Sequence, residues 1–87
     1  MHELGLAEGI LDIVREHVPA GRESEVTSIE VRVGTFAGVD PESLAFCFAA
    51  ITADTPLRAA RLAIERRAGR ELQVVAVELG EAAGGVA

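Results

Sequence analysis

Residues 26–33, VTSIEVRV, restrict the fold more than any other part of the chain. Ile29, Val31 and Val33 fall on one side of an extended backbone, and Ser28, Glu30 and Arg32 fall on the other. A period of two marks a β-strand with one buried and one wet face. Such a strand needs neighbours in a sheet and a second layer over its apolar side.

Helices on either side of it in the sequence can supply that layer. In residues 4–18, Leu4, Ala7, Leu11, Val14 and Val18 recur at helical spacing, and Leu6, Ile10 and Ile13 widen the stripe. Glu8, Asp12, Arg15 and Glu16 take much of the other side, and Pro19 and Gly21 end the helix. After a loop from Gly34 to Val39, Asp40-Pro41-Glu42 opens a second helix, with Asp at the N-cap and Pro at the first helical position. Leu44 to Ala53 carries no charge. Leu44, Cys47, Phe48 and Ile51 form its core stripe, which leaves Phe46 and several alanines pointing elsewhere, so part of this helix is a candidate docking surface.

A second strand is expected at 61–67, with Leu62 and Ile64 inward and Arg61, Glu65 and Arg67 outward, followed by a turn at Ala68-Gly69. Residues 71–79 read as a third strand with two apolar faces, Leu72/Val74/Ala76 and Val75/Val77/Leu79. Burial on both faces predicts a central position. The expected class is therefore α/β in the broad sense, a two-layer α+β domain of order α-β-α-β-β. Its three-stranded mixed sheet has both helices on one face. The strand-helix-strand unit is expected to be a right-handed parallel crossover. The last two strands are expected to form an antiparallel hairpin, with the third strand between the first two. Residues 81–87 have the Gly/Ala composition of a frayed tail.

Eighty-seven residues make one small domain, which buries roughly 60–65% of the surface of its unfolded chain. The aromatics are Phe36, Phe46 and Phe48, so the core rests on Val, Leu, Ile and Ala. Net charge is −6, with ten acids against three arginines in residues 1–57 and five arginines against four acids in 58–87. An acidic domain repels phosphate backbones, which argues against general nucleic-acid binding. One cysteine excludes an internal disulfide, a CxxC redox pair and a multi-cysteine zinc site within the chain. No signal-peptide pattern and no apolar run of about 20 residues is present, which predicts no membrane association and a cytoplasmic protein.

The N-terminus carries the main chemical signal. A free α-amine, the backbone amide of His2 and the imidazole Nδ1 can wrap one metal ion in fused five- and six-membered chelate rings. Three nitrogens in a plane suit Ni(II) or Cu(II), and the fourth ligand is expected to be the Glu3 amide or a nearby carboxylate. The competing reading is an unremarkable surface histidine near a chain end. Asp40 is accounted for by its capping role. His17 suits the negative end of the first helix, and Cys47 reads as a small core residue. No nucleophile triad or phosphate-binding loop is evident, and an enzyme is not expected.

The opening Met1-His2-Glu3-Leu4 resembles the MHE start of the HypA/HybF nickel chaperones. Val26-Thr27-Ser28-Ile29 leading into Val31-Arg32-Val33-Gly34 is similar too. Gly38-Val39-Asp40-Pro41-Glu42-Ser43-Leu44-Ala45-Phe46 looks like that family's G-V-x-P-E-S-L-x-F signature. Thr55-Pro56-Leu57, Leu62-Ala63-Ile64-Glu65 and Gly69-Arg70-Glu71-Leu72 running into Val77-Glu78 extend the resemblance across residues 1–79. It implies a nickel-binding domain over 1–79, and by composition 80–87 is expected to be a flexible tail. It also implies a chaperone that holds Ni(II) at the Met1 amine, His2 and Glu3, with Asp40 a further candidate ligand. Nickel would pass to a [NiFe]-hydrogenase large subunit with the help of a GTPase, HypB. The uncharged second helix is the candidate docking surface, with one of Phe46 and Phe48 expected in the core and the other exposed to a partner. The alternative is a metal-free docking module that keeps the fold. Family members normally carry a zinc module with two CxxC pairs between the second and third strands. Here Arg66-Arg67-Ala68 runs straight into Gly69-Arg70-Glu71, so no zinc is expected.

Overall fold

The strand that governs the sequence also lies at the middle of the sheet. The computed structural model describes residues 2–80. Its principal elements are α1 (His2–His17), β1 (Val26–Gly34), α2 (Pro41–Thr52), β2 (Arg61–Arg67) and β3 (Leu72–Leu79), with short 3-10 turns at Glu23–Glu25 and Pro56–Ala59. The class and the α-β-α-β-β order are those expected. Helix α1 begins at His2, two residues earlier than the apolar spacing predicts, and β1 runs on through Gly34.

Both helices cover one face of the sheet. Ala7, Ile10, Leu11 and Val14 of α1 and Leu44 and Phe48 of α2 form a single core with Val26, Ile29, Val31 and Val33 of β1. Glu30 is exposed on the other face, as the alternation predicts. In α2, Cys47 and Ile51 are half-buried against the core. Two members of the apolar stripe on α1 are more open than expected: Leu4 is 41% and Ile13 40% exposed. With three strands beneath them, the helices have too little sheet to cover a stripe that wide.

The strand order differs from the expectation. It is β2-β1-β3, with β1 parallel to β2 and antiparallel to β3. The parallel β1-α2-β2 unit is present, but β2 and β3 lie on opposite sides of β1 and do not form a hairpin. The misleading signal was the two-faced apolar pattern of residues 72–79, and a β-bulge explains it. Val31 pairs with Val74 and Glu30 with Ala76, so Val75 has no partner across the ladder. One extra residue reverses the alternation. Leu72 and Val74 before the bulge and Val77 and Leu79 after it therefore all pack against the core, while Val75 is 40% exposed. The strand has one apolar face, split between two parities of the sequence, and it lies at an edge.

The link from β2 to β3 must cross the end of β1. Two strand spacings are about 9.6 Å, and the five Cα steps from Arg67 to Leu72 reach up to about 17 Å. The crossing is held by Gly34 N–H donating to the Glu71 carbonyl at 2.8 Å, Thr35 N–H to Arg67 at 2.7 Å and Phe36 N–H to Gly69 at 2.8 Å. It passes so close that a Cβ on Gly34 would collide with the Gly69 carbonyl and stand 2.7 Å from the Arg70 nitrogen. Glycine at position 34 lets the link through. The tail expected from 80 onward lies outside the described residues beyond Gly80. No helix among the described residues is long and apolar enough to cross a membrane.

Candidate metal centre

The N-terminal end of α1 lies beside the N-terminal end of α2 and the loop that leads into α2 from β1. Asp40 caps α2 as its sequence predicts: its Oδ1 accepts the Glu42 N–H at 3.1 Å, and its Oδ2 accepts the Ser43 hydroxyl at 3.4 Å. Pro41 follows at the first helical position, where a missing N–H costs nothing.

Two side chains of α1 reach across to this loop. The Glu3 carboxylate Oε2 accepts the backbone N–H of Asp40 at 3.1 Å. His2 Nε2 lies 2.9 Å from the Gly38 carbonyl oxygen and 3.5 Å from Glu3 Oε2. The Glu3 side chain is only 17% exposed, while that of His2, at 59%, remains open to solvent. The Asp40 N–H holds the Glu3 carboxyl below its ordinary pKa; its own backbone N–H and His2 act in the same direction, against partial desolvation and the charge of Asp40.

His2, Glu3 and Asp40, singled out in the sequence, are thus brought together by the fold. Met1 lies outside the described residues. Among the described residues no group of three or more His, Cys, Asp or Glu side chains is arranged to hold a metal ion. Main-chain nitrogen at the start of α1 is a further donor that this place offers. The first amide N–H groups of an α-helix have no intrahelical acceptor, so replacing their protons by a metal breaks no helical hydrogen bond. The negative charge of a deprotonated amide is also favoured at the positive end of the helix dipole.

The two phenylalanines of α2 divide as the sequence suggests: Phe48 is buried, 1% exposed, and Phe46 is 74% exposed. His17 lies on the surface, its Nδ1 2.9 Å from the Ile13 carbonyl oxygen. Two features were not anticipated. Phe36, in the loop after β1, is 76% exposed. Gly38, with φ of +73°, presents its carbonyl to His2. A glycine in a loop signals a positive φ, but no sequence pattern tells which side chain its carbonyl meets.

A family model described as hydrogenase/urease nickel incorporation, metallochaperone, hypA matches residues 1–72. This chain belongs to the HypA family. Among its curated relatives, the hydrogenase maturation factor HypA of Desulfosudis oleivorans is 46% identical over 66 residues, which cover 75% of this chain and 57% of the relative. That of Albidiferax ferrireducens is 39% identical over 64 residues, 74% of this chain and 57% of the relative. That of Desulfatibacillum aliphaticivorans is 38% identical over 78 residues, 88% of this chain and 56% of the relative. The HypA-family chain therefore spans somewhat more than half the length of the relatives it matches. Every element that builds the site, from α1 through the cap of α2, falls within the matched residues.

Proposed function

We propose that this HypA-family chain is a cytoplasmic nickel-holding module that delivers Ni(II) for maturation of [NiFe]-hydrogenase. Its partners are then a maturation GTPase of HypB type and the hydrogenase large subunit. The observation that carries this reading is the position of His2 and Glu3 in the first turn of α1, packed against Gly38 and Asp40. Nickel as cargo would be held by the Met1 amine, the amides of His2 and Glu3, and the His2 imidazole. This planar nitrogen set suits Ni(II). The carboxylates of Glu3 and Asp40 supply nearby negative charge, and Asp40 is a candidate further ligand. Zinc has no part in this module's fold, so strong chelators should leave its melting curve unchanged.

Nickel must displace protons from the amine, the amides and the imidazole, so affinity is expected to fall as pH is lowered. The test is calorimetric titration of nickel into untagged protein, a His2→Ala variant, and protein extended by one residue ahead of Met1. Wild type should bind one nickel, and both altered forms should bind far more weakly. Equal affinity in all three would overturn the reading. Absence of nickel binding in wild type would favour the metal-free docking module, for which the exposed ring of Phe46 is the supporting observation.

A further inference from the structure

The imidazole of His2 has two nitrogens, and the fold treats them differently. Nε2 lies 2.9 Å from the carbonyl oxygen of Gly38. A carbonyl can only accept, so Nε2 carries the proton. In the neutral ring this leaves Nδ1 as the nitrogen with the free lone pair. Covalent structure makes Nδ1 the useful one. Together with the residue's own amide nitrogen, Cα, Cβ and Cγ, it closes a six-membered ring around a metal, while Nε2 points away from that amide.

The Gly38 carbonyl is itself fixed in place. Before it, Phe36 N–H is bonded to Gly69, and Ala37 N–H to Gly34 at 3.0 Å. After it, Asp40 N–H is bonded to Glu3. Between these ties Gly38 takes a φ of +73°, in the left-handed region. A Cβ built on Gly38 meets nothing within 4 Å, so it is the backbone angle and not lack of space that favours glycine there.

We propose that the Gly38 carbonyl is a positioning group for metal capture: it holds His2 as the Nε2–H tautomer in the metal-free protein and presents a bare Nδ1 to the incoming cation. This rests on the nickel reading above. Metal-bound histidines commonly donate their second N–H to a carbonyl or carboxylate, which fixes the ring and raises its basicity. Loss of such a partner typically costs about 10–100-fold in metal affinity. Here the partner is already engaged before the metal arrives.

The test pairs two substitutions with one spectroscopic measurement. Asn tolerates a left-handed backbone and Val does not. Gly38→Asn should therefore keep the carbonyl in place, while Gly38→Val should turn it away. Long-range proton–nitrogen NMR of metal-free wild type should show His2 protonated at Nε2 and bare at Nδ1, and the Asn variant should match it. The Val variant should lose this single-tautomer signature. In nickel titrations the Asn variant should stay within about twofold of wild type, and the Val variant should bind about tenfold more weakly or worse. A protonated Nδ1 in wild type, wild-type affinity in the Val variant, or equal losses in both variants would each overturn the proposal. If wild type shows the Nε2–H signature but binds no nickel, the nickel reading fails while the His2–Gly38 contact stands. If nickel binding depends on His2 but the signature is absent, the nickel reading stands and the positioning role fails.

Discussion

Gly34→Ala places one methyl group where the β2–β3 link crosses the end of β1. The added Cβ would stand 2.5 Å from the Gly69 carbonyl carbon and 2.7 Å from the Arg70 nitrogen, both main-chain atoms that cannot swing aside. Two responses are open to the protein. Keeping the link in place stores overpacking strain of about 1–3 kcal/mol. Lifting the link breaks the Phe36–Gly69 and Thr35–Arg67 hydrogen bonds, each worth about 1 kcal/mol net. The two routes put the loss at about 1–3 kcal/mol. The total stability expected for 87 residues is about 4–13 kcal/mol. At about 4–8 °C per kcal/mol for a domain of this size, the melting temperature should drop by roughly 4–24 °C. Gly9→Ala is the control. It lies within α1 with nothing within 4 Å of the added Cβ, and should stabilise the protein by about 0.5–1 kcal/mol. Urea unfolding followed by circular dichroism gives both values. A Gly34→Ala loss below about 1 kcal/mol would mean that the crossing is not tightly packed.

Phe48→Ala should cost about 3–5 kcal/mol in the same assay because the ring is fully buried, while Phe46→Ala should stay within about 0.5 kcal/mol. Pull-down with a maturation GTPase should weaken for the Phe46 variant, and an unchanged pull-down would remove Phe46 from the docking surface. Asp40→Ala should lose about 1 kcal/mol with the cap, and Asp40→Asn nearly nothing, since Asn caps as well. A large drop in nickel affinity for Asp40→Asn would then identify the carboxylate as a ligand. The carboxyl of Glu3 titrates below its ordinary value of 4.5 in the folded protein, chiefly through the Asp40 N–H. As pH falls, the unfolded chain takes up that proton first, so the contribution of Glu3 is complete above about pH 5 and is lost through and below the ordinary range. Melting of wild type and Glu3→Gln should show a gap that is constant above about pH 5 and narrows as pH falls below it; a gap independent of pH would show that the charge of Glu3 is not involved.

Local signals in the sequence determined most of the elements. The period-two run made β1, the apolar spacing made α1, and Asp40-Pro41 set the start of α2 to the residue, because each depends on neighbours within a turn or a strand pair. His2 and Glu3 were legible as a candidate chelate, and Asp40 as a helix cap, for the same reason, since both are short-range chemistry; Asp40 as a candidate ligand came only from the family resemblance. The order of the strands was decided only in three dimensions. Whether Val74 and Val77 share a face depends on a bulge opposite β1, and a bulge is a property of a pair of strands, not of one. The closeness of His2 to Gly38, 36 residues away, likewise exists only once the sheet has brought the β1–α2 loop beside α1. Sequence supplied the groups and their local conformations. Packing supplied the partners, because contact between distant residues is fixed by how the layers bury their apolar faces.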